Sequence, residues 1–321
     1  MSARHLRWLS GALLLALALL MWGAPPGPSH QQAPASRAVY VYMCGGDLET
    51  NAGRASADLA ELVAGAPAST TIIVQTGGAK AWRHPGVEPS SLQRWLVTSD
   101  SLALIEAVDL AAMSTADTFA EFLRFATSRY PADKMSLVLW GHGNGISVCV
   151  DQLYHYGALD AQDIKSALGR LDAAVRFDVV AFDACHAATL DLALAVGARA
   201  SYVVASVDKL PGSGLDYAAI DFDASGLDLA KSIAEAITAP GDDGPSPSLS
   251  VLQTDRLPPL DEAIKGLDLT GLEPVAAYLS NAYFLVDASH VEALHHLVSR
   301  VVVYQTASGT PSSGISVVVP R

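Results

Sequence analysis

Apolar residues in this chain fall into short runs rich in Val, Ile and Leu, separated by stretches whose apolar positions recur every three to four residues. The first pattern predicts strands and the second amphipathic helices. Ala38 to Cys44 reads as a first strand, about Asn51 to Ala64 as a helix, and Thr70 to Gln75 as a second strand ended by Gly77-Gly78. Residues 81 to 98 read as a hairpin, with turn residues near Pro85-Gly86 and Pro89-Ser90. Ser114, with Asp117 three positions on, predicts the start of a helix whose apolar side carries Phe119, Phe122, Leu123 and Ala126, and Pro131 stops it. Then come a strand at Met135 to Trp140, a helix at Asp160 to Leu171, a strand at Phe177 to Phe182, a helix at Ala187 to Ala198 and a strand at Tyr202 to Ser206. This alternation predicts an α/β fold, a three-layer α/β/α sandwich around a mostly parallel central sheet. Residues 239 to 248 read as a turn-rich loop, followed by helical patterns near 258–269, 273–284 and 290–306. The closing Val-rich run at 315–319 is expected to return to the core sheet, so no second domain is cut at 240.

The N-terminus departs from this pattern. Arg4 and Arg7 precede an apolar run from Trp8 to Ala24, and Pro25-Pro26-Gly27-Pro28 ends any helix there. Residues 1–24 are read as a signal peptide or N-terminal anchor. At roughly 17 residues the run is at the short limit for a membrane span, and no cysteine follows it to carry a lipid. Residues 25–37 read as a Pro/Ala/Ser/Gln linker, and 38–321 as one domain. An apolar fraction of 50% excludes a disordered chain, and a net charge of −13 argues against nucleic acid as a partner. The expected product is an exported monomer, secreted, periplasmic or tethered to the outer face of the membrane through residues 8–24.

Candidate chemistry sits where two apolar runs end. His142 follows Leu137-Val138-Leu139-Trp140-Gly141, and Cys185 follows Val179-Val180-Ala181-Phe182-Asp183-Ala184, 43 residues further on. Reactants bind beyond the carboxyl ends of strands in an open parallel sheet, so two neighbouring strands can present this His and Cys to one crevice. A thiolate is the reactive form of Cys, and a nearby imidazole both favours it and returns a proton to the leaving amine. Gly143 N–H and Cys185 N–H are the expected oxyanion donors, the latter at the start of the following helix, whose dipole would favour the thiolate. An isolated Cys185 would read as a buried structural thiol. Its pairing with the His-Gly block is what argues for chemistry.

Several blocks extend this pairing. Trp140-Gly141-His142-Gly143-Asn144-Gly145, Phe182-Asp183-Ala184-Cys185, Asp47-Leu48-Glu49, Tyr130-Pro131-Ala132-Asp133-Lys134, Pro211-Gly212-Ser213-Gly214-Leu215-Asp216-Tyr217 and Gly314-Ile315-Ser316-Val317-Val318-Val319-Pro320 resemble the clostripain-like (C11) cysteine peptidases, over about residues 38 to 320. The resemblance implies a caspase-like fold, a His142/Cys185 dyad with no obligatory third carboxylate, and cleavage of peptide or protein substrates after Arg or Lys. A basic P1 side chain needs a carboxylate in its pocket, and Asp183 and Asp208 are the candidates. Asp183 can instead cap the next helix, and Asp208 can be a solvated loop residue. His186 departs from the family pattern, in which an apolar residue follows the nucleophile; it is expected in the first turn of a helix, along the sheet face. Some relatives use calcium, for which Asp47, Glu49, Asp242 and Asp243 are the available carboxylates, but without the spacing of a dedicated loop. No cofactor and no structural metal are expected, since no His-x-x-x-His or Cys-x-x-Cys occurs.

Two other function classes compete with this one. A serine hydrolase lacks its Gly-x-Ser-x-Gly elbow here. A catalytically silent, exported binding module remains the alternative, opposed by the presence of both dyad residues. Cys44 and Cys149 end up near one rim of the predicted sheet, as a disulfide or as two separate buried thiols.

Overall fold

Side chains that alternate along a strand face opposite ways, and in the computed structural model the apolar runs use both faces to build two cores across one sheet. The structure describes residues 35–237, 247–267, 283–288, 291–306 and 312–320. In chain order the elements are β1 (Ala35–Cys44), α1 (Gly46–Ala52), α2 (Arg54–Gly65), β2 (Thr70–Gly77), β3 (Ser91–Thr98), β4 (Ser101–Asp109), α3 (Ala116–Arg129), β5 (Ala132–Trp140), β6 (Ser147–Asp151), β7 (Gly157–Asp160), α4 (Ala161–Gly169), β8 (Phe177–Asp183), α5 (Leu190–Gly197) and β9 (Ala200–Ser206). There follow a 3-10 turn at Tyr217–Ala219, α6 (Gly226–Glu235), β10 (Leu249–Gln253), α7 (Leu257–Lys265), β11 (Tyr283–Asp287), α8 (His295–Val301), β12 (Val302–Gln305) and β13 (Ser316–Pro320).

Nine strands form one sheet in the order β12-β10-β9-β8-β5-β1-β2-β3-β4. The central five, β9 to β2, are parallel. Antiparallel neighbours widen the sheet on both sides. Tyr40 and Tyr42 of β1 point into a core with Phe119 and Phe122 of α3, Leu168 of α4, Leu192 of α5 and Leu257 of α7. Val39, Val41 and Met43 point the other way, onto Leu59 and Leu62 of α2 and Leu229 and Ile233 of α6. Helices therefore cover both faces, and the predicted three-layer sandwich is the observed one. The four expected apolar residues of α3 are all fully buried. Thr115, one residue after the expected Ser114, caps this helix by accepting from Thr118 N.

Other expectations shift. The strand β1 begins at Ala35 instead of Ala38, because Ala35 and Arg37 already pair with Ala132 and Lys134 of β5. The first predicted helix is two, broken at Gly53, whose φ of +67° is left-handed and ends α1. The hairpin is β3–β4, not residues 81–98; β4 is a half-exposed edge strand, so its apolar residues lack the signal of a buried run. The hairpin β6–β7 was not predicted from the sequence. The 290–306 segment is helix only to Val301 and continues as β12, which fills the sheet edge beside β10. That edge being taken, β13 does not join the core sheet: it pairs with β11 and meets α5's entry through Ser316 N donating to Ala188 O at 2.8 Å. The N-terminal segment 1–24, nearly all of the linker, and most of the predicted 273–284 helix lie outside the described residues. Among the described residues, no helix is long and apolar enough to cross a membrane.

Phe122 stacks near Tyr42, with ring centroids 5.7 Å apart, at the centre of the first core. Phe122→Ala is expected to cost about 3–5 kcal/mol of stability, read as a lower denaturation midpoint in urea.

Candidate active site

Parallel pairing sets the site. In β5 and β8, Trp140 and Asp183 are register partners, and Gly141 N then donates to Asp183 O at 3.2 Å. His142 and Cys185 each lie two residues beyond that pair. Both line one cavity of about 290 Å³, with Leu48, Trp140, Asp183 and Leu210 among its walls. Gly143 lies directly on the Cys185 main chain. A Cβ there would come within 2.4 Å of Cys185 O and 3.2 Å of Cys185 N, so no other residue fits. Thr189 holds the two loops together from below, its Oγ1 donating to Gly145 O at 2.9 Å.

A third group accompanies His142 and Cys185, one that the sequence did not assign to them. His142 Nε2 lies 2.7 Å from Asp47 Oδ1, both side chains a little over one-third exposed. Asp47 belongs to α1, and the same short helix is anchored by the fully buried Glu49. Glu49 accepts from Ser56 N at 2.9 Å, Ser56 Oγ at 2.6 Å and Arg83 N at 2.6 Å. The two carboxylates considered for calcium thus face different partners. Asp242 and Asp243 lie outside the described residues. Among the described residues, no group of three or more His, Cys, Asp or Glu side chains converges as a metal site. The available signal for Asp47 was its block, Asp47-Leu48-Glu49, placed just past the first strand.

Cys185 corrects one expectation. It is not at a helix N-terminus: α5 begins at Leu190, capped by Thr189, so no helix dipole reaches the thiol and Asp183 is not that helix's cap. Burial instead pushes the Cys185 thiol above its ordinary value, opposed by the charge of Lys209. Its Sγ faces Leu210 O at 3.9 Å. His186 lies in the connecting loop with φ of +57°. Its N donates to Asp208 O at 2.9 Å and its Nδ1 lies 2.8 Å from Val207 O, so its ring is tied to the end of β9. Cys44 and Cys149 are fully buried, and all three cysteines are free. Burial raises both of these thiols as well.

The two pocket candidates separate. Asp183 is on the cavity wall, 5% exposed, and its Oδ2 accepts from Tyr217 OH at 2.9 Å. Asp208 is turned away: its Oδ2 accepts from Ser248 N at 2.9 Å, and it is the next residue, Lys209, that reaches the cavity wall. A second buried carboxylate lies on the Asp183 face of the sheet. Asp58 of α2, 2% exposed, accepts from Trp140 Nε1 at 2.6 Å. Desolvation raises Asp58 and Asp183 alike above the usual carboxylate range.

The sequence profile of the clostripain family matches residues 41–270. No curated protein matches the chain. Solved structures that share its fold include three C11 proteases. A secreted C11 cysteine protease from Bacteroides thetaiotaomicron, bound to an irreversible peptide inhibitor, is 19% identical over 88% of this chain and 92% of its own, with a TM-score of 0.66. An inactive zymogen C11 protease from Parabacteroides distasonis is 20% identical over 90% and 93%, with a TM-score of 0.67. A secreted C11 cysteine protease from Bacteroides thetaiotaomicron called iotapain is 15% identical over 89% and 94%, with a TM-score of 0.69.

The raised thiol gives a pH prediction. Alkylation of the native protein should fall on Cys185 and spare the buried Cys44 and Cys149. Because the thiolate is the reactive form, the rate should keep climbing above pH about 8.5. Lys209→Ala should move that limb to higher pH, since an opposing cation is lost. Peptide mapping after iodoacetamide across a pH series reads all three; equal labelling of Cys44 would contradict the burial assigned to it.

Proposed function

The chain belongs to the clostripain family and is a cysteine peptidase; on that premise we propose that it is an exported endopeptidase whose Cys185 and His142 form the catalytic dyad and which cleaves after Arg or Lys. The observation that supports this most directly is the convergence of both side chains on one cavity that also carries the carboxylate of Asp183.

The proposed steps are these. His142 takes the proton of the Cys185 thiol as sulfur attacks the scissile carbonyl carbon. A thiol held protonated by burial makes this transfer to the base part of the attack. Gly143 N–H and Cys185 N–H face the developing oxyanion, and the contact of Gly143 with the Cys185 main chain keeps these donors together. Asp47 holds the imidazole by one nitrogen and stabilises the imidazolium that forms, which then protonates the leaving amine. Water hydrolyses the resulting thioester. Leu48, Trp140 and Leu210 give the pocket apolar walls for the stem of a P1 Arg or Lys, with Asp183 at the charged end. Export rests on the apolar run at 8–24 and on the two similar proteases described as secreted; that run either leaves with the signal peptide or remains as a tether.

Cys185→Ala and His142→Ala should each abolish turnover, and Asp47→Ala should lower kcat by about 10- to 100-fold with KM little changed. Asp183→Asn should remove the preference for Arg over its neutral isostere citrulline. Kinetics on matched peptide substrates decide these. Near-normal turnover in either dyad variant ends the assignment, and a parent enzyme that does not prefer Arg or Lys ends the pocket reading.

A second expectation concerns maturation. Between Gly143 and Ile164 there is no Lys or Arg, and Lys165 lies within α4. Helical backbone does not enter an extended protease cleft without local unfolding. The enzyme should therefore work as one chain. Intact masses of the parent and Cys185→Ala after incubation test it; a cut there in the parent alone, with rising activity, would refute it.

A further inference from the structure

Two buried carboxyl groups lie on one face of the sheet, Asp183 on the cavity wall and Asp58 behind it, and the mechanism uses only one of them. Trp140 connects them: its Nε1 donates to Asp58 Oδ2 at 2.6 Å, and it is the register partner of Asp183 on the same face of the sheet. Among the described residues, no Lys or Arg lies within ion-pair distance of either carboxylate. The groups that bear on the charge of Asp58 come from several elements. Its own helix adds Glu61 and, more weakly, the exposed Arg54; β8 adds Asp183, β5 the Trp140 indole, and the 3-10 turn the buried Tyr217 hydroxyl. Two desolvated carboxylates that repel each other, with no ion-paired cation, resist ionising together.

We propose that Asp58 and Asp183 act as one unit that retains one proton, held on Asp58, while the pocket is empty and gives it to solvent when a guanidinium or ammonium group enters, so that the incoming cation meets two negative charges. Asp58 is thereby a positioning residue for specificity, acting through Asp183 and Trp140. The free pocket avoids burying two unpaired charges, and a neutral side chain leaves the proton in place. A neutral residue therefore gains nothing from Asp58, while a basic one does. Burial and the neighbouring Asp183 charge both push Asp58 toward the protonated form, which agrees with the direction required.

This inference rests on the proposed Arg/Lys preference, and the test separates the two. Binding of a peptide with Arg at P1, and of its citrulline counterpart, is followed by titration calorimetry on Cys185→Ala protein near pH 7.5, in two buffers of different ionisation heat. The Arg peptide should release about one proton per site and the citrulline peptide none. Adding Asp58→Asn, which keeps an oxygen for Trp140, should abolish the release and weaken the Arg peptide by about tenfold, leaving the citrulline peptide unaffected. Should that variant fail to fold, infrared difference spectra of the protein with Asp58 intact still decide. A protonated carboxyl C=O stretch should disappear when the Arg peptide binds. A parent enzyme that favours Arg while binding releases no proton, or releases it equally in Asp58→Asn, overturns this inference alone. A parent without the Arg or Lys preference removes the pocket reading and this inference together.

Discussion

The parallel register of β5 and β8 is the constraint on which the site depends. Because Trp140 pairs with Asp183 and Gly141 N closes the ladder on Asp183 O, both strands end at the same height. Their next residues turn out of the sheet together. A shift of one residue in either strand would send Trp140 or Asp183 to the opposite face and separate His142 from Cys185. The glycine at 143 and the Thr189 bond to Gly145 then fix the two loops beyond the strand ends, which touch main chain to main chain.

Around that register the protein distributes burial unevenly. One side of the dyad is wet: Asp47 and His142 meet at a partly exposed contact, held by a helix that Glu49 anchors from within. The other side is dry, with Asp183, Asp58, Tyr217 and Trp140 packed among aliphatic side chains of the second core. Desolvation is then the largest influence on the Cys185 thiol and on the Asp183 and Asp58 carboxyls, and in each it favours the neutral form. In the same dry surroundings a charge–charge contact is stronger than it would be in water.

Much of this was legible in the chain. Strands buried on both faces are uninterrupted apolar runs, so β1, β2, β5, β8 and β9 stood out, and with them the strand-end positions of His142 and Cys185. Edge elements were not legible: β4 is half exposed, β12 and β6 are short, and β13 was assigned to the wrong sheet because nothing local says which edge is already filled by β12. The helix after Cys185 starts three residues later than its sequence suggests, since Ala187 and Ala188 suit a helix but Ala188 is bonded to Ser206 of β9 and Ser316 of β13.

The sequence by itself determined the layered architecture and the family and pointed to His142 and Cys185 as the candidate pair, because each rests on residue type and on periodicity along the chain. Only the tertiary structure decided the partners of those groups. That Asp47 meets His142, that Asp183 faces the cavity while Asp208 turns to Ser248, and that Asp58 stands behind Trp140 depend on contacts between residues 34 to 95 positions apart. Local propensity carries no information about such distances. They are set by strand order, by which face each helix covers, and by the loss of water that results from both.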